Sequence, residues 1–428
     1  MIRRIFVFLH RWVGLLMTAF LVVVGLTGSL LAFGNEIERF VAPQLFATPR
    51  PGAPFLDLAT LAEKASALAP PNTHLIGVRL NQRDQALANF LPEIKINPET
   101  GKPILPTNSQ TGAVDFQALR ALVPPEVLID PWTGVELARR RRGDLSEGLV
   151  NLMPFIFGLH FTLQPLIPMG TFVLGIVAVF WTIDCFVGFY LTLPVSFGGF
   201  WRKWRAAWAI KLGAGAYRVN FDLHRASGLW LWPMLFIFAW SSVMYNMGPV
   251  YRWVMPKLFD FSSPLQQGKK MSSRSLEFNP SLDWRSALAV GERLMAEQAE
   301  KRGFTIGAPV GLFYRGRSYS YEVRSNLAVS ANYYGARIQF DGDTGAFVSF
   351  DAPTGEHTGD TISSWLKALH TASVFGLPYK IFVCALGLVI TMLSITGVYI
   401  WWMKRRARRF HKRQGASVGA ALESTSAK

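Results

Sequence analysis

Four histidines, each preceded by leucine, recur in the same order in the two halves of this 428-residue chain. His10 and His224 open two segments reading L-H-R-x-x-G-L, Leu9–Leu15 and Leu223–Leu229. His160 and His370 stand in Leu159-His160 and Leu369-His370, each with a proline eight residues on, Pro168 and Pro378. The half-to-half offsets are 214 and 210 residues. Matched imidazoles on facing helices suit axial ligation of low-spin haem iron, the arrangement of an electron-carrying site. Gly14 and Gly228 follow His10 and His224 by four residues, on the same helix face. A missing side chain there leaves room for a flat macrocycle, and Arg11 and Arg225 stand ready to pair with propionates. No residue is assigned a catalytic role beyond ligation.

These histidines need helices at membrane depth, and the composition supplies them. Half the residues are hydrophobic and 17% charged, against about 25% in ordinary soluble domains, and mean hydropathy is +0.23. Four segments, Trp12–Phe33, Thr171–Leu193, Leu229–Met247 and Lys380–Trp402, approach the about 20 residues that cross about 30 Å of hydrocarbon. The first follows Arg3 and Arg4 but is too long for a signal-peptide core and ends in no A-x-A site, so it is read as a retained span. Basic clusters at Arg3–Arg11, Arg202–Arg218 and Lys404–Arg413 fall on one side of a four-span topology, which places both termini in the cytoplasm. The net charge of +16 is then mostly topogenic, and no nucleic-acid partner is expected. Trp201, Trp204, Trp208, Trp401 and Trp402 fit an aromatic belt at that interface.

Topology sorts the histidines into two layers. Spans one and three start on the inner side, pairing His10 with His224. Spans two and four start outside, pairing His160 with His370 near the outer surface, where Pro165, Pro168 and Pro378 interrupt the helices. Other metals, a proton path and plain packing are the competing roles for these histidines, but zinc or copper would need carboxylate or thiolate ligands that neither layer supplies at suitable spacing. Cys185 and Cys384 read as small apolar filler, and His74, His357 and His411 as surface histidines. Arg139–Arg142, on the long outer loop, is either an anion-binding patch or a solvated run.

The outer segments repeat as well. Helical spacing over Leu56–Leu68 precedes strand-like His74–Leu80 and Ala86–Leu91. The second half has a helix over Ser281–Lys301 and strands at Thr305–Tyr314, Ser318–Arg324, Ala336–Asp341 and Ala346–Asp351. D-x-x-T-G turns at Asp130–Gly134 and Asp341–Gly345 correspond, with a further turn at Asn97–Gly101. The expected fold is therefore an integral membrane α-helical protein, four transmembrane helices in two repeated halves with two periplasmic α+β modules. Residues 1–33 form the first span with a cytoplasmic N-terminus, 34–150 the first module, and 151–193 an interfacial helix and the second span. A cytoplasmic loop over 194–223 leads to the third span (224–247), the second module (248–362), an interfacial helix with the fourth span (363–402), and a basic cytoplasmic tail (403–428).

From L-H-R-W-V-G at 9–14 to G-V-Y at 397–399, and in both D-x-x-T-G turns, the chain resembles the PepSY-associated transmembrane helix family of bacterial inner-membrane proteins. Some members of that family are similar to siderophore-iron reductases with two b-type haems. The resemblance implies PepSY-like outer modules, two non-covalent b-type haems on His10, His160, His224 and His370, and a ferric siderophore as electron acceptor. No G-x-G-x-x-G unit opens a nucleotide-binding fold and no C-x-x-C-H would attach haem covalently, so a membrane quinol or a separate cytoplasmic reductase is the expected donor. Two further readings compete: a membrane-anchored PepSY module that binds or inhibits a periplasmic protein such as a peptidase, and a transporter of the iron complex. The scarcity of polar residues at mid-membrane argues against the transporter.

Overall fold

The computed structural model describes residues 1–81, 84–93, 97, 104, 107, 122–167, 169–262 and 280–426, with side chains as far as Phe410. Residues 98–101 of the expected turn, Pro168 and the His411 side chain lie outside the described residues. The chain divides into two units. One comprises Met1–Phe33, Phe157–Arg252 and Leu377–Lys428, the other Gly34–Ile156 and Trp253–Gly376.

The first unit is helical. Its elements are α1 (Ile2–Leu31), α4 (Leu152–Thr162), α5 (Gly170–Thr192), α6 (Phe200–Arg205), α7 (Ala216–Trp230), α8 (Trp232–Asn246) and α12 (Gly376–Ser426). Among the described residues, α1, α5 and α12 as far as Phe410 are long and apolar enough to cross a membrane; α7 and α8 reach that length only as a pair bent by 70°. Leu16, Phe172, Ile183, Leu388 and Ile395 are exposed on these helices, as in helices that lipid solvates. The third span expected over Leu229–Met247 falls on this bent pair. Pro233, in the first turn of α8, has no amide hydrogen to extend the α7 ladder, so the axis breaks at Leu231. His224 sits on α7, before the bend. The basic segment after residue 402 continues α12.

Small residues set the helix contacts. A Cβ on Gly25 of α1 would lie 2.6 Å from Thr391 Oγ1 and 2.7 Å from Gly387 O on α12, and one on Gly175 of α5 would lie 2.7 Å from Asn246 O. Such close backbone approach is how apolar helices associate in a solvent as apolar as themselves. Ser29 Oγ donates to Cys384 O at 2.8 Å across the first contact. At the other end of α1, Arg3 donates to Leu191 O and Leu193 O, the last carbonyls of α5, at 2.7 and 3.0 Å. The N-terminus of α1 therefore lies beside the C-terminus of α5, and the cation offsets the negative end of that helix.

The second unit is built on antiparallel strands in the order β4-β3-β2-β1-β5-β6-β7-β8. Strands β1 (Thr73–Asn81), β2 (Gln85–Pro92), β3 (Glu126–Ile129) and β4 (Glu136–Arg140) form one meander; β5 (Ile306–Arg315), β6 (Ser318–Ser325), β7 (Ala336–Asp341) and β8 (Phe347–Asp351) form the other. A helix precedes each: α3 (Leu58–Ala67), capped by Asp57 onto Thr60 N at 2.8 Å, and α10 (Trp284–Arg302), capped by Asp283 onto Ser286 N at 2.7 Å. The D-x-x-T-G turns also match. Asp130 Oδ1 accepts from Trp132 N (2.7 Å) and Thr133 N (3.2 Å), and Asp341 Oδ1 from Asp343 N (3.1 Å) and Thr344 N (2.9 Å). Each turn closes on a glycine in the left-handed region, Gly134 at φ 71° and Gly345 at φ 69°.

Both meanders share one sheet. Gly77, Val78 and Arg79 of β1 pair with Phe313, Leu312 and Gly311 of β5. Each meander alone would leave a strand edge unpaired, and joining them satisfies both. Alternation along the strands sends Val78, Leu312, Tyr321, Ile338 and Phe340 into a core with Leu61, Ala65, Leu294 and Met295 of α3 and α10. The remaining elements are α2 (Gly34–Val41), α9 (Gly248–Leu258) and α11 (Thr358–His370).

Candidate functional site

The first unit brings two of the four histidines together. The rings of His10, on α1, and His224, on α7, have centroids 6.1 Å apart with planes inclined at 64°. Two imidazoles on opposite sides of one metal ion, each bonded at about 2.0–2.1 Å, hold their ring centres roughly 6 Å apart. Both rings are oriented from behind. His10 Nδ1 lies 2.9 and 3.0 Å from the two carboxylate oxygens of Asp184 on α5. His224 Nδ1 lies 3.0 Å from Leu393 O and 3.1 Å from Thr396 Oγ1 on α12. A carboxylate and a carbonyl accept, so Nδ1 carries the hydrogen in both rings and Nε2 is left with its lone pair. Histidine ligands are held this way, with the second nitrogen donating to an outer acceptor.

The two supports occupy equivalent places. Asp184 precedes Gly188 by four residues and Leu393 precedes Gly397 by four. A Cβ on Gly188 would meet His10 Cε1 at 3.6 Å, and one on Gly397 would meet His224 Cε1 at 3.4 Å, so each imidazole lies over a glycine of a neighbouring helix. One half orients its histidine with a side chain, the other with a main-chain carbonyl. Asp184 was missing from the sequence reading, although its signal was there: it is the one charged residue in the 23 of α5, where an ionisable group is costly unless it has work to do.

The flanking residues fit a flat group between the rings. A Cβ on Gly14 would meet nothing within 4 Å, and one on Gly228 only Leu393 Cδ2 at 4.0 Å. Arg11 Nε and Arg225 Nε are buried donors without a partner among the described residues. Arg11 lies against the rings of Phe8 and Trp12. Arg225 Nη2 donates to Asp222 Oδ1 at 2.8 Å and to Ala206 O at 2.6 Å. Among the described residues no group of three or more His, Cys, Asp or Glu could hold a metal ion. Two imidazoles complete an iron coordination sphere when a macrocycle supplies the other ligands.

His160, on α4, belongs to the same unit at the far end of α1. Its Nδ1 lies 3.0 Å from Thr27 Oγ1, whose hydroxyl donates to Val23 O at 2.6 Å and so accepts from the ring. A Cβ on Gly28 would stand 3.1 Å from His160 Cε1, a third imidazole over a glycine. His370 ends α11 in the second unit.

In the Arg139–Arg142 run, three arginines are paired with carboxylates. Arg139 pairs with Glu136 at 2.6 Å, Arg140 with Glu38 at 2.7 Å and Glu126 at 3.0 Å, and Arg142 with Glu126 at 2.8 Å. Burial opposes the Arg140 charge, but Glu126 and Glu38 outweigh it and hold its pKa above the ordinary value. The segment clasps the β4 edge to α2.

The family described as PepSY-associated TM region matches residues 7–404. The chain belongs to this family. No curated protein matches it. Family membership makes this a membrane protein with a PepSY-associated transmembrane region, its three to four apolar helices including one near the N-terminus and its antiparallel sheet forming a separate region. The matched range takes in all four histidines, Asp184 and Thr396.

Proposed function

We propose that this protein is a two-haem electron conduit of the bacterial inner membrane that reduces ferric iron, held by a siderophore, on the periplasmic side. The observation that carries the reading is the His10–His224 pair: two rings 6.1 Å apart, both with Nδ1 engaged and Nε2 free to ligate. A non-covalent b-type haem bound there supplies reversible one-electron chemistry. Asp184 and Leu393 O orient the rings, Gly14 and Gly228 keep space beside them, and Arg11 Nε and Arg225 Nε are donors for propionates. The sequence repeat pairs His160 with His370 as the second site.

Thr27, which supports His160, follows His10 by seventeen residues on α1, about 25 Å along the axis at 1.5 Å per residue. Sites at those depths serve opposite leaflets. In this reading the chain has four spans with α7 and α8 as one, both termini cytoplasmic, and PepSY-like halves of the sheet in the periplasm. Quinol or a separate cytoplasmic reductase donates electrons to the inner site. Iron(III) held by hard oxygen ligands is released more readily once reduced, which gives outward electron flow its purpose.

Reoxidation tests the acceptor. Protein reduced under anaerobic conditions and freed of reductant is expected to return to its oxidised spectrum on adding a ferric siderophore. The gallium form of the same siderophore, which has no matching one-electron reduction, should leave it reduced. A spectrum unchanged by the ferric form would end the reductase reading.

A further inference from the structure

Asp184 stands on α5 with its side chain 12% exposed, its carboxylate oxygens 2.9 and 3.0 Å from His10 Nδ1. Among the described residues no arginine or lysine pairs with it. Asp222, in the same unit, shows how a buried acid is ordinarily held. Its side chain is fully buried, and Arg218 and Arg225 each reach one of its oxygens at 2.8 Å. A carboxylate shielded from water without a cation is costly, and in an apolar helix such a group marks function. What faces Asp184 is His10, and a histidine that ligates through Nε2 is neutral. The compensating charge then has to lie beyond the imidazole, on the bound ligand.

The matching positions are held by neutral acceptors. His224 Nδ1 meets Leu393 O and Thr396 Oγ1, and His160 Nδ1 meets the Thr27 hydroxyl. Oxidised haem iron carries one positive charge more than reduced iron, and hydrogen bonding behind an axial ligand is one lever on its potential. A carboxylate in that place makes the imidazole more basic and attracts the extra charge, so it favours the oxidised state. A hydroxyl or a carbonyl, having no net charge, does so less.

We infer that Asp184, acting through His10, gives the inner haem the lower reduction potential of the two, so that electrons run downhill to the outer site. The inference rests on the two-haem reading. One electron passes at a time, from iron(II) at the inner site to iron(III) at the outer, and the quinol or cytoplasmic reductase replaces it. The direction of flow is then built into the side chain behind one histidine.

Mediated redox titration of the haem-saturated full-length protein, followed in its absorption bands, tests this. The wild type is expected to titrate in two one-electron steps. Asp184→Asn keeps the shape and removes the charge, and should ease the lower-potential reduction about tenfold, an upward shift of about 59 mV, with the other step unmoved. Thr396→Val, which deletes a neutral acceptor behind His224, should shift the same step less. A lower step unmoved in Asp184→Asn, or a shift of the upper step in its place, would overturn the assignment. An equal shift in Thr396→Val would do the same, since loosened support rather than charge would then explain both. So would loss of the inner haem from Asp184→Asn, which would make the carboxylate a structural prop. Wild-type protein without haem would end the two-haem reading and this inference with it, whereas two haems indifferent to Asp184→Asn would end this inference alone.

Discussion

Alanine at His224 is expected to remove one of two haems and leave the other in place. In the proposed inner site the imidazole would supply one axial ligand, and its loss would leave His10 as a single protein ligand. His10→Ala should remove the same haem, and the double variant should lose no more than either single one, because the two residues act on one site. Asp184→Asn is a finer probe. It keeps the shape behind His10 and replaces the carboxylate acceptor, which is expected to weaken haem binding about 10–100-fold without abolishing the site. Haem-to-protein ratios after denaturing extraction read all four variants, and full occupancy in His224→Ala would remove it from the ligand set. Retention of the Asp57- and Asp283-capped sheet unit, followed by far-ultraviolet dichroism, separates loss of a ligand from loss of the fold.

The largest stability effect is expected at Arg140. Its side chain is 8% exposed between Glu38 and Glu126, themselves 13% and 15% exposed, and it also donates to Val150 O at 2.6 Å. Methionine fills a similar volume but leaves two carboxylates with little access to water. Breaking a buried pair from one side typically costs about 3–5 kcal/mol. Arg139, one residue earlier, pairs with Glu136 at a side-chain exposure of 39%, and such a pair contributes about 0.2–1 kcal/mol. Denaturant titration of Arg140→Met against Arg139→Met should therefore separate the two by several kcal/mol. Equal midpoints would contradict the clasp that Arg140 forms between α2 and β4.

How far the sequence carried this structure depended on the range of the interaction. Caps, turns and helix spacing are local, so α3, α10, both D-x-x-T-G turns and six of the eight strands were legible from residues a few positions apart. The histidine pair was legible because the duplication repeated its motif, and membrane depth restricted which copies could meet. The β1–β5 seam was not, because Val78 and Leu312 look like any buried strand residues and nothing near either names its partner. The partners of Arg139–Arg142 were hidden for the same reason: Glu38 lies 102 positions from Arg140, and nothing in a run of arginines points to distant acids. Pro233 and Asp184 differ from these. Both were local signals in apolar segments, one for a break in the helix and one for a functional carboxylate.

The central claim is that the four leucine-preceded histidines hold two haems. The most direct measurement is the oxidised and dithionite-reduced absorption spectrum of the full-length protein purified from haem-replete cells, with haem counted against protein. The account predicts b-type bands and two haems per chain. A colourless preparation with the four histidines intact would contradict it.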